Sequence, residues 1–338
     1  MDFPPDSLPR VAFSFRSGTF DLRSIRPDLC FETEDGFSTA IHLDERWQSM
    51  FAKLQNLGVV LASVQSGPVC VADTWERPTF QRVPGSRELV ELETGTEIRL
   101  SSMKSAMAVV EETQSQQIAS IQFFDVTGAG CLKIMVTNWS DLGAFEKLIV
   151  AHGRLPEGPL LTGKKKLPPL SSASEVDAKK VETLWPGLAR SLPETYFPGL
   201  EGVLRRDALS EAGETFSWQV SSAAVQRAIE EMARRHVALG TAIRNEAVFI
   251  PALVKPNRWN FCGCGQTFFS DYSQFTFRHC CGNWEAHAVR FATDTDEVIC
   301  LEFYDNRGQF CGGLGVRPEA ALEDHVCWNE ALRDGLLK

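Results

Sequence analysis

With 338 residues, 43% of them hydrophobic and 23% charged, the chain has the composition of a globular protein large enough for two ordinary domains. Its formal net charge of −10 argues against broad nucleic-acid binding, which needs many lysines and arginines facing phosphates, but leaves room for a local basic pocket. The opening MDFPPDSLPR has no basic segment leading into an apolar run, and no stretch approaches roughly 18 apolar residues, so the expectation is a cytoplasmic protein without membrane insertion, its ten cysteines reduced.

In chain order, Asp44 is placed to cap a helix in which Trp47, Met50, Phe51, Leu54 and Leu57 recur at helical spacing, stopped by Gly58. Val59–Val64 and Val69–Val71 flank Ser66-Gly67-Pro68 and read as a hairpin. Further strands are predicted at Leu89–Leu92, Glu97–Leu100, Met107–Val110, Ser120–Phe124 and Leu132–Thr137, the last two joined by a turn at residues 128–130. Asp141 then caps a closing helix carrying Leu142, Phe145, Leu148 and Ile149. Residues 153–180, with four prolines and the run Lys164, Lys165, Lys166, read as a linker whose charge run is solvated.

Beyond the linker the same order returns. Ser221 or Ser222 caps a helix bearing Val225, Ile229 and Met232; strands follow at Thr241–Arg244, Val248–Ile250, Gln274–Arg278, Ala288–Ala292, Val298–Tyr304 and Gly312–Val316; a last helix carries Val326, Trp328 and Leu332. Residues 120–136, SIQFFDVTGAGCLKIMV, align with residues 300–316, CLEFYDNRGQFCGGLGV, pairing Asp125 with Asp305, Gly128 with Gly308 and Cys131 with Cys311 at a constant offset of 180. A period of that size is a domain rather than a solenoid repeat. The fold class expected is α+β: two tandem homologous repeats, 1–152 and 181–338 about a 153–180 linker, each an antiparallel sheet with helices at its ends. Function is expected where the copies face each other, and two fused units make a monomer reasonable.

The chain contains no G-x-S-x-G elbow, no Walker loop and no G-x-G-x-x-G after a strand, and Gly312-Gly313-Leu314-Gly315 reads as a strand-bending device. Cys262-Gly263-Cys264 and His279-Cys280-Cys281 offer soft ligands. Alternation along a strand leaves at most His279 and Cys281 on one face, so a zinc set would be Cys262, Cys264, His279 and Cys281; the alternative is reduced structural thiols, since the spacing is not C-x2-C. Cys131 and Cys311 are expected to pack beside hairpin turns. His42, His152, His236, His287 and His325 read as capping or surface residues.

The segments Ser120–Gly153, Glu97–Val110, Leu54–Gly67 and Phe275–Val316 resemble, in order, the repeat blocks of the HemS/ChuS-like haem-utilisation family. The resemblance implies a haem cleft between the repeats, a role as haem carrier or reductant-fed haem-degrading enzyme, and as partners haem with an electron donor or haem importer. It also implies an arginine from the first repeat and an axial histidine just before the first helices of the second. Arg99 falls on that arginine; its planar fork suits a propionate. Arg278 is its internal counterpart, read as structural. The stretch matching the histidine, Leu188-Ala189-Arg190-Ser191-Leu192-Pro193-Glu194-Thr195-Tyr196-Phe197, contains none. Leu192 or Pro193 stands in its place, and neither binds iron. Tyr196 and His279 are the substitute ligands, Tyr196 alternatively being a packed core residue. Loss of the ligand favours a carrier over an enzyme, and leaves a second reading: a haem-free binding or regulatory module on the same scaffold, with zinc at the cysteines.

Overall fold

The computed structural model describes residues 20–33, 38–112, 117–155, 170–172, 175–188, 194–256, 258–262, 265–270, 273–278, 283–292, 297–317 and 319–333. In chain order the first half contains helix α1 (Leu22–Ile25), strands β1 (Phe31–Glu32) and β2 (Ser38–Leu43), helix α2 (Trp47–Leu54), and strands β3 (Gly58–Ser66), β4 (Val69–Glu76), β5 (Phe80–Arg82), β6 (Glu88–Glu91), β7 (Glu97–Arg99), β8 (Met103–Glu112), β9 (Gln117–Asp125) and β10 (Gly130–Ser140). Helix α3 (Leu142–His152) and strand β11 (Gly153–Arg154) close it. The second half contains α4 (Ala178–Leu188), α5 (Arg205–Glu211), β12 (Ser217–Gln219), α6 (Ser222–Arg234), β13 (Leu239–Arg244), β14 (Val248–Val254), β15 (Arg258–Cys262), β16 (Gly265–Phe269), β17 (Ser273–Phe277), β18 (Trp284–Ala292), β19 (Glu297–Asp305), β20 (Phe310–Val316) and α7 (Leu322–Arg333).

The sequence repeat has a physical basis in its turns. Asp125 Oδ1 accepts from the backbone N–H of Thr127 and Ala129 at 2.8 and 3.0 Å, and Asp305 Oδ1 accepts from those of Arg307 and Gln309 at 2.8 and 2.9 Å. Gly128 and Gly308 follow with φ of 80° and 84°, a conformation that favours glycine, so each Asp–Gly pair sets the register of one hairpin. Ser221 and Asp141 cap α6 and α3 as expected, accepting from Ala224 N and Ala144 N. Asp44 does not cap α2. Arg46 holds the N-cap position without a side-chain bond, while Asp44 accepts from Arg46 Nε at 2.7 Å and pairs with buried His152 Nδ1 at 2.9 Å, tying the start of α2 to the end of α3. Those hydrogen bonds hold the Asp44 carboxyl down at about 2, against the opposing effect of its burial.

The strands form two antiparallel sheets that interleave the halves. One runs β1-β2-β8-β9-β10-β3-β4-β17-β16-β15, with β11 beside β2; the other runs β12-β18-β19-β20-β13-β14-β7-β6-β5. Each half therefore lends three strands to its neighbour's sheet. β7 pairs with β14, Ile98 opposite Val248, and β17 pairs with β4, Phe275 opposite Val71. The two joints are counterparts: Arg99 N donates to Ala247 O at 2.7 Å and Arg278 N to Pro68 O at 2.8 Å.

Inner faces alternate as half-buried strands should, and they meet in one continuous core. Val69, Val71, Phe275 and Phe277 from one sheet pack with Ile243, Ile250, Leu301 and Phe303 from the other. Each fully buried side chain of this kind contributes about 1.5–3 kcal/mol. Contact is close enough that a Cβ on Gly312 would sit 2.8 Å from Ala242 O and 3.2 Å from Val69 Cγ2. The apolar slot expected between matched faces is thus filled by side chains. Toward one end the seam opens into a cavity of about 1120 Å³ lined by Asp73, Glu76 and Glu93 from the first half and His236, Lys255 and Ser273 from the second. Burial, with Glu93 and Glu91 nearby, pushes the Asp73 carboxyl up to about 7.

Candidate functional site on the outer face of the second sheet

Strand alternation assigns a second set of residues to the outer face of the β12–β5 sheet. Ile98 is fully buried in the core, so its neighbours Glu97 and Arg99 face outward. Across the ladder Glu97 opposes Phe249, Phe249 opposes Arg244, Ala242 opposes Gly313, Gly313 opposes Glu302 and Glu302 opposes His287. Gly240 lies on this face beside Gly315. The middle of the face, over β13 and β20, is therefore a strip almost bare of side chains, and Gly240, Ala242 and Gly313 are partly exposed. A Cβ on Gly313 would meet only Leu301 O at 3.4 Å and Phe310 Cζ at 3.9 Å, ordinary contacts, so the packing does not demand this glycine as it demands Gly312. The strip is a flat bed that a side chain would fill.

Guanidinium groups border one side. Arg99, half-exposed, donates from Nε to Glu88 at 3.3 Å. Arg244 lies 4.9 Å over the Phe249 ring and pairs with Glu97 at 3.8 Å and Glu194 at 3.4 Å; its buried Nε has no hydrogen-bond partner. The recess enclosed by Glu88, Arg99, Arg244 and Phe249 is only about 20 Å³, space for a water. Glu194, within the stretch Leu188–Phe197 that the family resemblance singles out, thus sits beside Arg244; residues 189–193, with Leu192 and Pro193, lie outside the described residues.

The other side is aromatic and ionic. α4 and α5 cover it, burying Trp185, Phe197, Leu209, Tyr304 and Phe310 in a second apolar cluster. Within it Arg205 donates from Nε and Nη2 to the Glu302 carboxylate at 2.8 and 2.7 Å, and Tyr304 Oη donates to the same carboxylate at 2.5 Å, all three side chains being almost wholly buried. Such a pair holds α5 to β19 with fixed geometry; its net contribution is small because both charges lose their water. Arg205 Nη1 and both ring nitrogens of buried His287 find no hydrogen-bond partner, Glu285 being 3.8 Å from His287 Nε2.

The sequence-predicted residues divide plainly. Arg99 stands on the face just described. Arg278, exposed, occupies the equivalent joint of the other sheet, far along the chain topology from Arg99. Tyr196 is 49% exposed and bridges to Leu204, so it is not a packed core residue, the alternative entertained above. His287, read as a capping or surface residue, is buried in mid-strand, and His152 is likewise buried. Cys131 and Cys311 pack as expected, their thiols pushed up to about 12 by burial. Cys264, His279 and Cys281, and the side chain of Cys262, lie outside the described residues; among the described residues no group of three metal-ligating side chains gathers. No helix among them is long and apolar enough to cross a membrane. Sequence reasoning missed Arg244, Gly313 and the Arg205–Glu302–Tyr304 group. Only the glycine run offered a signal, and it was read as a bend.

Residues 41–148 match the family model for haem utilisation of the ChuX/HutX type. The hemin transport protein HmuS of Yersinia pestis is 29% identical over 203 residues, a match spanning 56% of this chain and 56% of that relative's length. Among solved structures, holo-PhuS, a heme-binding protein from Pseudomonas aeruginosa, superposes with a TM-score of 0.70 and 16% identity over 88% of this chain and 86% of that one. ChuS, an E. coli heme oxygenase, superposes with a TM-score of 0.68 and 16% identity over 88% and 89%. At such identity the structural likeness speaks for the fold, and it extends over both sheets. Taken with the two sequence matches, it makes the chain similar to HemS/ChuS-like haem-utilisation proteins across both halves.

Proposed function

We propose that this protein binds haem and carries it, with the porphyrin lying on the bare strip of the second sheet. The observation that carries this reading is the juxtaposition on one face: a floor of Gly240, Ala242 and Gly313, two guanidiniums at one border and an aromatic wall at the other. The residues suit the group in two respects. Gly313 is a cradle that a side chain would occupy, and Arg244 keeps a buried Nε unpaired at the edge. Burying a porphyrin face yields about 25 cal/mol per Å², independent of any iron ligand. Arg99 and Arg244 would hold propionates through charge-assisted hydrogen bonds. For Arg99 this means exchanging Glu88, an exposed pair 3.3 Å long and worth about 0–1 kcal/mol, for the ligand's carboxylate. Bound haem supplies redox-active iron, but Leu188–Phe197 contains no imidazole to ligate it, so no cleavage chemistry is assigned to these residues. Tyr196, exposed two residues beyond Glu194, carries a phenol that could ligate iron. Action in the cytoplasm, delivery from an importer and a monomeric state belong to the same proposal.

The test is a hemin titration read in the Soret band. Wild type is expected to saturate at one hemin per chain, Arg99→Ala to bind several-fold more weakly, and Tyr196→Phe to change the spectrum if the phenol ligates iron. An isotherm unaltered by Arg99→Ala would remove that residue's role. Absence of a saturable Soret change in the wild type would favour the haem-free module.

A further inference from the structure

A second recess is lined by residues of the first half alone, beside the β5–β7 strands. It has a volume of about 630 Å³ and lies between the start of α2, the β5–β6 hairpin and the segment following β7. Its apolar wall is Trp47, Leu100 and Met103, each less than a tenth exposed. Its charged rim is Arg46, Arg82 and Arg87, opposed by Glu45 alone. This distribution runs against the molecule. The chain carries −10 overall, the seam cavity is rimmed by three carboxylates and one lysine, and the recess by Arg99 has three glutamates to two arginines. Three arginines gathered in one concavity repel each other and raise the local positive potential, so an anion entering it is favoured on both counts.

The arginines differ in how they are held. Arg46 is clamped by Asp44 and donates from Nη2 to Ala151 O at 2.6 Å, so it forms a fixed back wall. Arg82 donates Nε to Ser86 O at 2.9 Å, an anchor that sets the plane of its fork and leaves its terminal nitrogens without a partner among the described residues. Arg87 has no hydrogen bond or ion pair to any described residue. The one acidic lining residue, Glu45, accepts from Arg154 Nη2 at 3.4 Å and is ion-paired there rather than to Arg82 or Arg87. Two guanidiniums thus line the recess with donors to spare, one anchored through its Nε, and such planar forks accept phosphoryl and carboxylate groups bidentately.

We infer that this recess is a binding site for a small organic polyanion, carrying phosphoryl or carboxylate groups for Arg82 and Arg87 and a compact apolar portion for the Trp47–Leu100–Met103 wall. It does not depend on haem binding, and its lining comes from the first half alone, whereas the floor of the bare strip is β13 and β20. A chain with this arrangement responds to a charged metabolite as well as to its principal ligand.

Inorganic pyrophosphate and citrate, added at matched ionic strength, are the probes, with isothermal titration and thermal unfolding as readouts. Pyrophosphate is expected to bind saturably and raise the unfolding midpoint. Arg82→Ser and Arg87→Ser should each weaken it about tenfold or more, whereas Arg99→Ala leaves it unchanged. Both substituted residues are exposed, so folding is retained. If citrate binds at least as tightly, the carboxylate form of the ligand is assigned; if pyrophosphate binds more tightly, the phosphoryl form. A response that fails to saturate, or that survives both substitutions, overturns the site. Hemin titration of the Arg82→Ser/Arg87→Ser variant should match wild type, which separates failure here from failure of the haem proposal.

Discussion

Asp73 makes the seam between the sheets sensitive to pH, and its replacement by asparagine measures by how much. The side chain shares the core-facing parity of Val71 and Trp75 on β4 and stands opposite Ser273 of β17, at the joint where the second half's strands enter the first half's sheet. Glu76 lies on its own strand, Glu91 ends β6, Glu93 is on the β6–β7 turn, and Lys255 and His236 line the cavity from the second half. Burial is the main cause that lifts its carboxyl from 3.8 to about 7, with Glu93 and Glu91 adding to it. The folded pKa is raised above the unfolded one, so folding favours the protonated acid. The penalty is absent below about pH 4, grows as pH rises toward 7, and is constant above that. Three units at roughly 1.4 kcal/mol each set a ceiling of about 4 kcal/mol, and partial solvent access brings the working figure to about 2–4 kcal/mol. Asn keeps the shape and hydrogen-bonding capacity and removes the charge. Urea unfolding should therefore show Asp73→Asn more stable than wild type by about 2–4 kcal/mol at pH 8, and by less than about 1 kcal/mol at pH 4. A difference that is the same at both pH values, or a loss of stability at pH 8, would refute the reasoning.

Three further predictions follow from the packing. Glu302→Ala strands the buried Arg205 charge and should cost about 3–5 kcal/mol in denaturant unfolding, while Arg205→Met/Glu302→Leu together should recover most of it. Gly312→Ala forces a Cβ against Ala242 O at 2.8 Å, and overpacking of this kind costs about 1–3 kcal/mol, measurable by the same unfolding assay. Cys131 and Cys311, whose buried thiols are pushed up to about 12, should escape a disulfide reagent at pH 8 in the native protein and react once guanidinium unfolds it.

Much of the architecture was legible because it is written in local chemistry. Asp125–Gly128 and Asp305–Gly308 announce their turns, and Asp141 and Ser221 their helices, since cap and turn geometry depends on a few adjacent atoms. The alternation of β9 and β19 likewise exposed which residues meet the core. The exchange of β5–β7 and β15–β17 was not legible, because alternation says which face a residue takes and nothing about which strand lies alongside. The short strands β1, β5, β11 and β12, of two or three residues each, went unseen for lack of length. The site divides the same way. Arg99 was singled out by its motif position, whereas Arg244 comes beside it only through the β7–β14 joint. Gly313 read as a bend because its neighbour Gly312 truly is required by packing, and sequence cannot tell the inner glycine from the outer one.

The bare strip is the centre of the account, and Gly313→Leu probes it most directly. The substitution adds a side chain to a partly exposed position with room for its Cβ, so the unfolding free energy should stay within about 0.5 kcal/mol of wild type. Hemin titration in the Soret band should then show affinity reduced at least tenfold in this variant. A stably folded Gly313→Leu protein that binds hemin as wild type does would place the ligand elsewhere and contradict the central claim.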